Sequence, residues 1–460
     1  MQVTADRDDL AARLWSLCHV LRDDGIVFHK YMSELTYLLF LKNAKQLRAE
    51  RDLPEGCRWD DLLAARGAGM LGSYRKMLTR LGEDVADDVV RNIFSFPTTV
   101  FSHDENLEKV VDGIEAIDWH QYDRDSLGEV YESLLERNAT ETRSGSGQYF
   151  TPRPLVNAMV RVIQPAAGET ILDPAAGTGG FLIAAHRWGL AQGRFDGRYE
   201  GVEIERDTYR LCLMNLYLHG MNGIVIHGDT LTVDSEELTP ADIVLANPPF
   251  GTSSGGARAR REDLPYPTGN KQLAFMQAIW LEMAEGARAA VVVPDNVLSE
   301  SGVGLQVRRY LIENLDLHTV LRLPTGIFYA PGVQTNVLFF NKLSTGGDPS
   351  DSVWFYDLRS DMPNFTKRSP LKDEDFLDFE NAYGKDPSGR ARRDVDGRFN
   401  RVTKAELRAS GYDLDIRWGG GAHEETPADT EDLLSKLDDA VAAVQRAVAE
   451  IGTIVAGRDG

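Results

Sequence analysis

Four short stretches of this chain place chemically useful residues at the ends of apolar runs. The first is Ile171-Leu172-Asp173-Pro174-Ala175-Ala176-Gly177-Thr178-Gly179-Gly180-Phe181, where a strand-like run gives way to a helix-like one. Glycines at such a junction permit a tight turn and let a ligand approach the backbone closely. No Gly-Lys-Ser/Thr follows, so this is not a phosphate loop, and Leu182 stands where a dinucleotide fingerprint has its third glycine. Alone, such a turn is as much a structural device as a binding one. Its companions give it direction. Gly201-Val202-Glu203 closes the next apolar run with an acid placed to hold the two hydroxyls of a ribose. His227-Gly228-Asp229 closes a third, and Asn247-Pro248-Pro249-Phe250 a fourth. On four successive strand ends, these residues describe an adenosine pocket beside a polar clamp.

Elements must hold those ends in one row. The runs Thr170–Asp173, Tyr199–Glu203, Ile224–Ile226, Ile243–Ala246, Ala289–Val293, Val320–Leu323 and Val337–Phe340 are interleaved with helical patterns such as Phe181–Trp188 and Asp207–His219. Continuous Val/Ile/Leu strands separated by helices predict a doubly wound α/β domain, its parallel sheet covered on both faces and its ligands at the carboxyl ends. Residues 1–140 read instead as a helical domain. Leu10, Leu14, Leu17 and Leu21 share one helix face, with Asp8 and Asp9 placed to cap it and charge its first turn. Ser126 and Glu129 have capping-box spacing ahead of Leu127, Val130, Tyr131, Leu134 and Leu135. Asn138–Gly147 reads as a polar linker. The catalytic domain is assigned to 141–425, its part beyond about 345 being acidic and irregular. Residues 426–460 end the chain with Leu434, Leu437, Val441, Val444, Val448, Ile451 and Val455, a heptad seam for a partner helix or for the chain's own.

The composition narrows the classes further. The 460 residues carry a formal charge of −21, which suits solubility and not the unaided coating of a polyanion. Cys18, Cys57 and Cys212 are too few and too scattered for a disulfide framework or a zinc site. The opening MQVTADRDDL lacks a signal-peptide pattern, and no apolar run reaches the roughly 18 residues of a membrane span. A cytoplasmic protein without a resident metal is expected. His29, His219 and His318 read as core or surface residues, His423-Glu424-Glu425 as solvated tail, and Arg308-Arg309 as an exposed helix face.

The glycine turn, the strand-end acids and Asn-Pro-Pro-Phe together resemble the amino-methyltransferases that use S-adenosylmethionine. The segment Gly147-Gln148-Tyr149-Phe150-Thr151-Pro152-Arg153-Pro154 narrows the resemblance to the modification (M) subunit of type I restriction-modification systems. It runs from the helical N-terminus to about Phe340 and includes Leu323-Pro324-Thr325-Gly326-Ile327-Phe328 and Thr335-Asn336-Val337-Leu338-Phe339-Phe340.

That resemblance implies a doubly wound mixed sheet, with a helical N-terminal domain and a C-terminal helix, and a role for each motif. Asp173, Ala175 and the turn Gly177, Thr178, Gly179, Gly180 would hold the methionine end of the cofactor, with Gln148, Tyr149, Phe150, Thr151, Pro152 and Arg153 closing over it. Glu203 would take the ribose and Asp229 the cofactor's adenine amine. Asn247 and the Pro248 carbonyl would accept the target amine's hydrogens, beside Pro249, while Phe250 stacks on a base extruded from the duplex. Cytosine-C5 chemistry is excluded, because none of the three cysteines follows a proline. Asn rather than Ser at 247 favours adenine N6 over cytosine N4. Arg258, Arg260, Arg261 and Lys271, in the loop after the clamp, are candidate phosphate contacts or an ordinary solvated loop. With no sizeable basic reading element, the chain implies double-stranded DNA read by a separate specificity (S) subunit. Two M per S are expected, with a restriction (R) subunit for cleavage. The rivals are a protein-glutamine N5 methyltransferase and a non-catalytic assembly subunit retaining the fold.

Overall fold

Nine short apolar runs pair into a single mixed sheet, in the order β3-β2-β1-β4-β5-β7-β6-β8-β9. Its strands are β1 (Thr170–Asp173), β2 (Arg198–Glu203), β3 (Gly223–His227), β4 (Ala241–Ala246), β5 (Met283–Pro294), β6 (Asp316–Arg322), β7 (Thr335–Asn341), β8 (Ser352–Asp357) and β9 (Phe399–Thr403). The computed structural model describes residues 2–22, 28–141, 150–193, 196–232, 234, 238–251, 261–328, 334–360, 362–363, 365–366, 369–395 and 397–416. Gln148, Tyr149, Arg258, Arg260, His423–Glu425 and the heptad seam lie outside these residues.

The five strands from β3 to β5 run parallel, with Asp173 opposite Gly201, Glu203 opposite His227, and Ala246 opposite Val291. Their carboxyl ends therefore share one rim. β7 runs antiparallel between β5 and β6, so its first residues, Thr335 and Asn336, meet Pro294 and Arg322 at that same rim. The central strands are buried along most of their length, as their unbroken Val/Ile/Leu content requires.

Two strands lie where the sequence reads as irregular. Val353-Trp354-Phe355-Tyr356 makes β8, parallel to β6, and β9 closes the edge antiparallel to it. β9 (FNRVT) buries only Phe399 fully, and such a polar edge strand carries a weak apolar signal.

The N-terminal part is helical throughout, and its first helix, Gln2–Arg22, buries Leu10 and Leu14. That helix starts earlier than its acids suggest, so Asp8 and Asp9 sit in its interior and no acid lies in its first turn. The helix Arg124–Glu141 likewise begins before Ser126. Asp123 Oδ1 accepts from Ser126 N (2.9 Å), so the aspartate takes the capping position that the Ser126/Glu129 spacing suggested. The same helix runs through Asn138–Glu141, the first four residues of the expected linker.

Helical part and sheet share one core. Leu127, Val130, Tyr131 and Leu134 join Leu211, Met214 and Leu218 of the helix Arg206–Leu218. Arg210 ties that helix to the N-terminal part through Ile93 O (2.7 Å) and Ser95 O (2.9 Å). Arg308 departs from expectation: it is buried, donating to Val297, Glu300 and Tyr412 carbonyls, while Arg309 is exposed. His219 and His318 are buried in the core, as are all three cysteines.

Candidate active site

The rim is built from turns whose shapes the sequence dictates. β1 ends at Asp173, and its side chain accepts from Ala175 N (3.0 Å), starting the turn. Gly177 (φ 54°) and Gly179 (φ 82°) adopt left-handed conformations that cost a side chain dearly, which is why glycine stands there. The helix Gly180–Ala191 then leaves with its N-terminus at the rim. A Cβ on Gly180 would come within 2.7 Å of the Arg153 guanidinium, so this glycine admits the arginine.

Glu203, at the end of β2, stitches the turn to the next strand. Its two oxygens accept from Gly177 N (2.9 Å) and Glu205 N (2.7 Å). A carboxylate has about four acceptor sites, so Glu203 keeps capacity for a donor such as a ribose hydroxyl. Burial raises the Glu203 carboxyl from 4.5 to about 7 and Asp173 from 3.8 to about 8, the latter also facing Glu203's charge. Two buried acids side by side thus create a place where a cationic or diol-bearing ligand is favoured. Asp229 follows β3 in a loop of its own, accepting from Leu231 N (3.0 Å) at Oδ1.

Beside β1 runs β4, and its end carries the clamp. Asn247 Nδ2 donates to Thr151 Oγ1 (2.9 Å), while Asn247 Oδ1 is buried with no hydrogen-bond partner. A buried amide oxygen without a donor costs roughly 1–3 kcal/mol, so such an atom points to a ligand that supplies one. Pro248 is buried, and Pro249 and Phe250 are half-buried. The Phe250 ring meets Phe328 edge to face, centroids 6.4 Å apart, so the Gly326-Ile327-Phe328 motif braces the clamp.

A family profile of N-6 DNA methylases matches residues 122–426, more than half of the chain. The type I restriction enzyme EcoKI methylase subunit of Escherichia coli (strain K12) is 46% identical over 414 residues, 84% of this chain and 78% of that protein. The chain belongs to the N-6 DNA methylases. A second relative, the type I restriction enzyme StySPI methylase subunit of Salmonella potsdam, is 45% identical over the same shares. Among solved structures, the EcoKI M protein is 37% identical with a TM-score of 0.55, over 96% of both chains. A chain from a study of complex assembly and conformational transition of the type I R-M system is 27% identical with a TM-score of 0.73, over 97% of this chain and 98% of that one.

The other expected site residues of this methylase fall as follows. Phe150, Thr151 and Pro152 lead into the helix Arg153–Ile163. Arg153 lies over the Phe150 ring (5.6 Å) and forms an ion pair with Glu132 (2.5 Å) of the N-terminal part, lining a charged cavity of about 410 Å³ with Glu136 and Arg187. Arg261 is bound to Asp263 (2.7 Å) and Glu282 and donates its amide to Leu231 O. Its charge is thus balanced within the chain. Lys271 starts the helix Lys271–Glu282, its amide donating to Gly251 O (3.1 Å).

Several supporting residues were not singled out in the sequence. Asn215 donates to Thr178 O (2.9 Å) and Thr230 to Pro174 O (2.5 Å), fixing the glycine turn from behind. Asp295, after β5, binds Asn336 (2.8 Å) and Arg359 (2.9 Å) at the far end of the rim. Asn336 stood inside a recognised motif, whereas Asn215 and Arg359 carry no local signal. Their partners are distant in sequence.

Proposed function

We propose that this chain is the methylating subunit of a type I restriction-modification complex, transferring a methyl group from S-adenosylmethionine to adenine N6 in DNA. The observation that carries the reading is the Asn247 amide, one end tied to Thr151 and the other a buried, unanswered acceptor. The cofactor, when bound, supplies an electrophilic methyl on a sulfonium. Asp173, Ala175 and the Gly177–Gly180 turn would hold its methionine end, with Gln148–Arg153 on the near side. Glu203 would accept from the ribose hydroxyls, and Asp229 from the adenine amine. Asp173 and Glu203 fit a ligand bearing a diol and positive charge, because burial disfavours both of their charges and the hydrogen bonds described for them come from backbone amides.

Adenine's amine is a weak nucleophile because its lone pair is delocalised into the ring. Asn247 Oδ1 and the Pro248 carbonyl, accepting one N–H each, favour a tetrahedral nitrogen whose lone pair is free to face the methyl. Phe250, braced by Phe328, offers a face on which a flipped base stacks. Alignment of amine and methyl then supplies much of the acceleration.

Recognition of the DNA sequence falls to an S subunit, two methylating chains per S, with an R subunit added for cleavage. Residues 426–460 serve as a docking element, 1–140 as the helical part and 141–425 as the catalytic part. Arg258 and Arg260 of the loop after the clamp, and Lys271 at the start of the helix that follows, would be the phosphate contacts. No helix among the described residues is long and apolar enough to cross a membrane; a DNA substrate supports a cytoplasmic location.

The test is Asn247→Ala in the assembled complex. Methyl transfer to DNA should fall at least 100-fold, the order found when one preorganised catalytic hydrogen-bonding group is removed. Cofactor affinity should stay within a few-fold. Substantial residual transfer would remove the clamp from Asn247.

A further inference from the structure

A primary amide has two unlike ends on a nearly symmetric frame. The last torsion of an asparagine is broad and roughly two-fold, so a half-turn exchanges its oxygen and nitrogen at little intrinsic cost. At the clamp that half-turn decides everything. Oxygen outward accepts a target N–H; nitrogen outward sets one donor against another. Nothing in Asn247 itself selects between them.

The selection comes from another segment. Thr151 Oγ1 accepts from Asn247 Nδ2 at 2.9 Å across 96 residues of chain, leaving Oδ1 as the unanswered end. Threonine is stiff at its first torsion, so its backbone determines where the hydroxyl points. That backbone is in turn well anchored. Pro152 caps the helix Arg153–Ile163, and Pro152 O accepts from Val156 N (3.1 Å). Arg153 lies on Phe150 and is paired with Glu132.

We propose that Thr151 is a positioning residue: its hydroxyl orients Asn247 so that the amide oxygen faces the target amine. The proposal rests on the reading of Asn247 as the clamp, and it gives Thr151 a duty toward the base rather than only toward the cofactor. It also makes the catalytic side chain on β4 depend on the placement of the segment before the sheet. A complex with that segment displaced would hold Asn247 without holding its orientation.

Thr151→Val removes the acceptor at constant shape, and Thr151→Ser keeps it. Both are compared in the full complex by single-turnover methylation and by cofactor affinity. Thr151→Val should slow methyl transfer by roughly 10-fold to 100-fold, the range for a lost hydrogen bond at a buried group. Cofactor affinity should fall by less than the rate does, and Thr151→Ser should restore most of the rate. Should the valine variant fail to fold, Thr151→Ala against Thr151→Ser gives the same comparison. A valine variant at wild-type rate overturns the proposal, as does a loss confined to cofactor affinity or a serine variant as slow as valine. Asn247→Ala separates the two claims. If it is inactive while Thr151→Val is unimpaired, only the positioning role falls; if it is active, the clamp itself falls.

Discussion

Asp173 and Glu203 show how a binding site is made at the expense of the apo fold. Both carboxyls are buried, and both hold protons in the native state at pH values where the unfolded chain has lost them. A folded pKa above the unfolded one means that stability is full below about pH 4 and declines as pH rises toward 7 or 8. Asp173→Asn removes one such group. Its melting temperature should match wild type near pH 4 and exceed it by a few degrees at pH 8, in scans without cofactor. An equal gain at both pH values would place the effect elsewhere. At this scale the sequence was informative wherever a motif is local: Asp173, Gly177, Gly179, Glu203 and Asn247 all stand at strand ends. It was silent on Asn215 and Arg359, whose roles arise from partners 37 and 64 residues away or lie in no contiguous pattern.

Helices of the N-terminal part act as a backing plate for the sheet's outer layer, and one glycine marks the seam. Gly128 lies in the helix Arg124–Glu141 where a Cβ would come within 2.6 Å of the His219 ring. His219 is buried there, its imidazole held neutral by desolvation, with a pKa lowered to about 4. Gly72, in the helix Met70–Glu83, faces open space. Gly128→Val should therefore destabilise by roughly 1–3 kcal/mol through overpacking. Gly72→Ala should stabilise by about 0.5–1 kcal/mol, since helical glycine is costly. Chemical denaturation of the two variants checks both signs, and a neutral Gly128→Val would mean that this seam is loose. Elements with a clean period were legible, including seven of the nine strands. β8 was not, because four apolar residues followed by an acidic stretch look the same in a loop as in a late strand, and β9 (FNRVT) was not, because a polar edge strand carries little apolar signal. Arg308 misled for a related reason: a basic pair on an amphipathic helix reads as surface until three carbonyls converge on one of its members.

Across the whole molecule, the charge of −21 and the site on the sheet rim describe an enzyme that needs help to hold its substrate. Arg261, the described arginine of the loop after the clamp, is balanced by Asp263 and Glu282. One local cation is thereby taken up within the chain, in keeping with a grip on DNA that comes mainly from the complex. Composition pointed to this dependence, although no residue pattern names the sequence that is methylated. The most direct test supplies methyl-labelled S-adenosylmethionine and duplex DNA to the chain alone and to the chain with its specificity subunit, then digests the DNA to nucleosides. The expected result is label in N6-methyladenine, formed at a useful rate only when the specificity subunit is present. Label in N4-methylcytosine or in protein glutamine, or equal methylation by the chain alone, would contradict it.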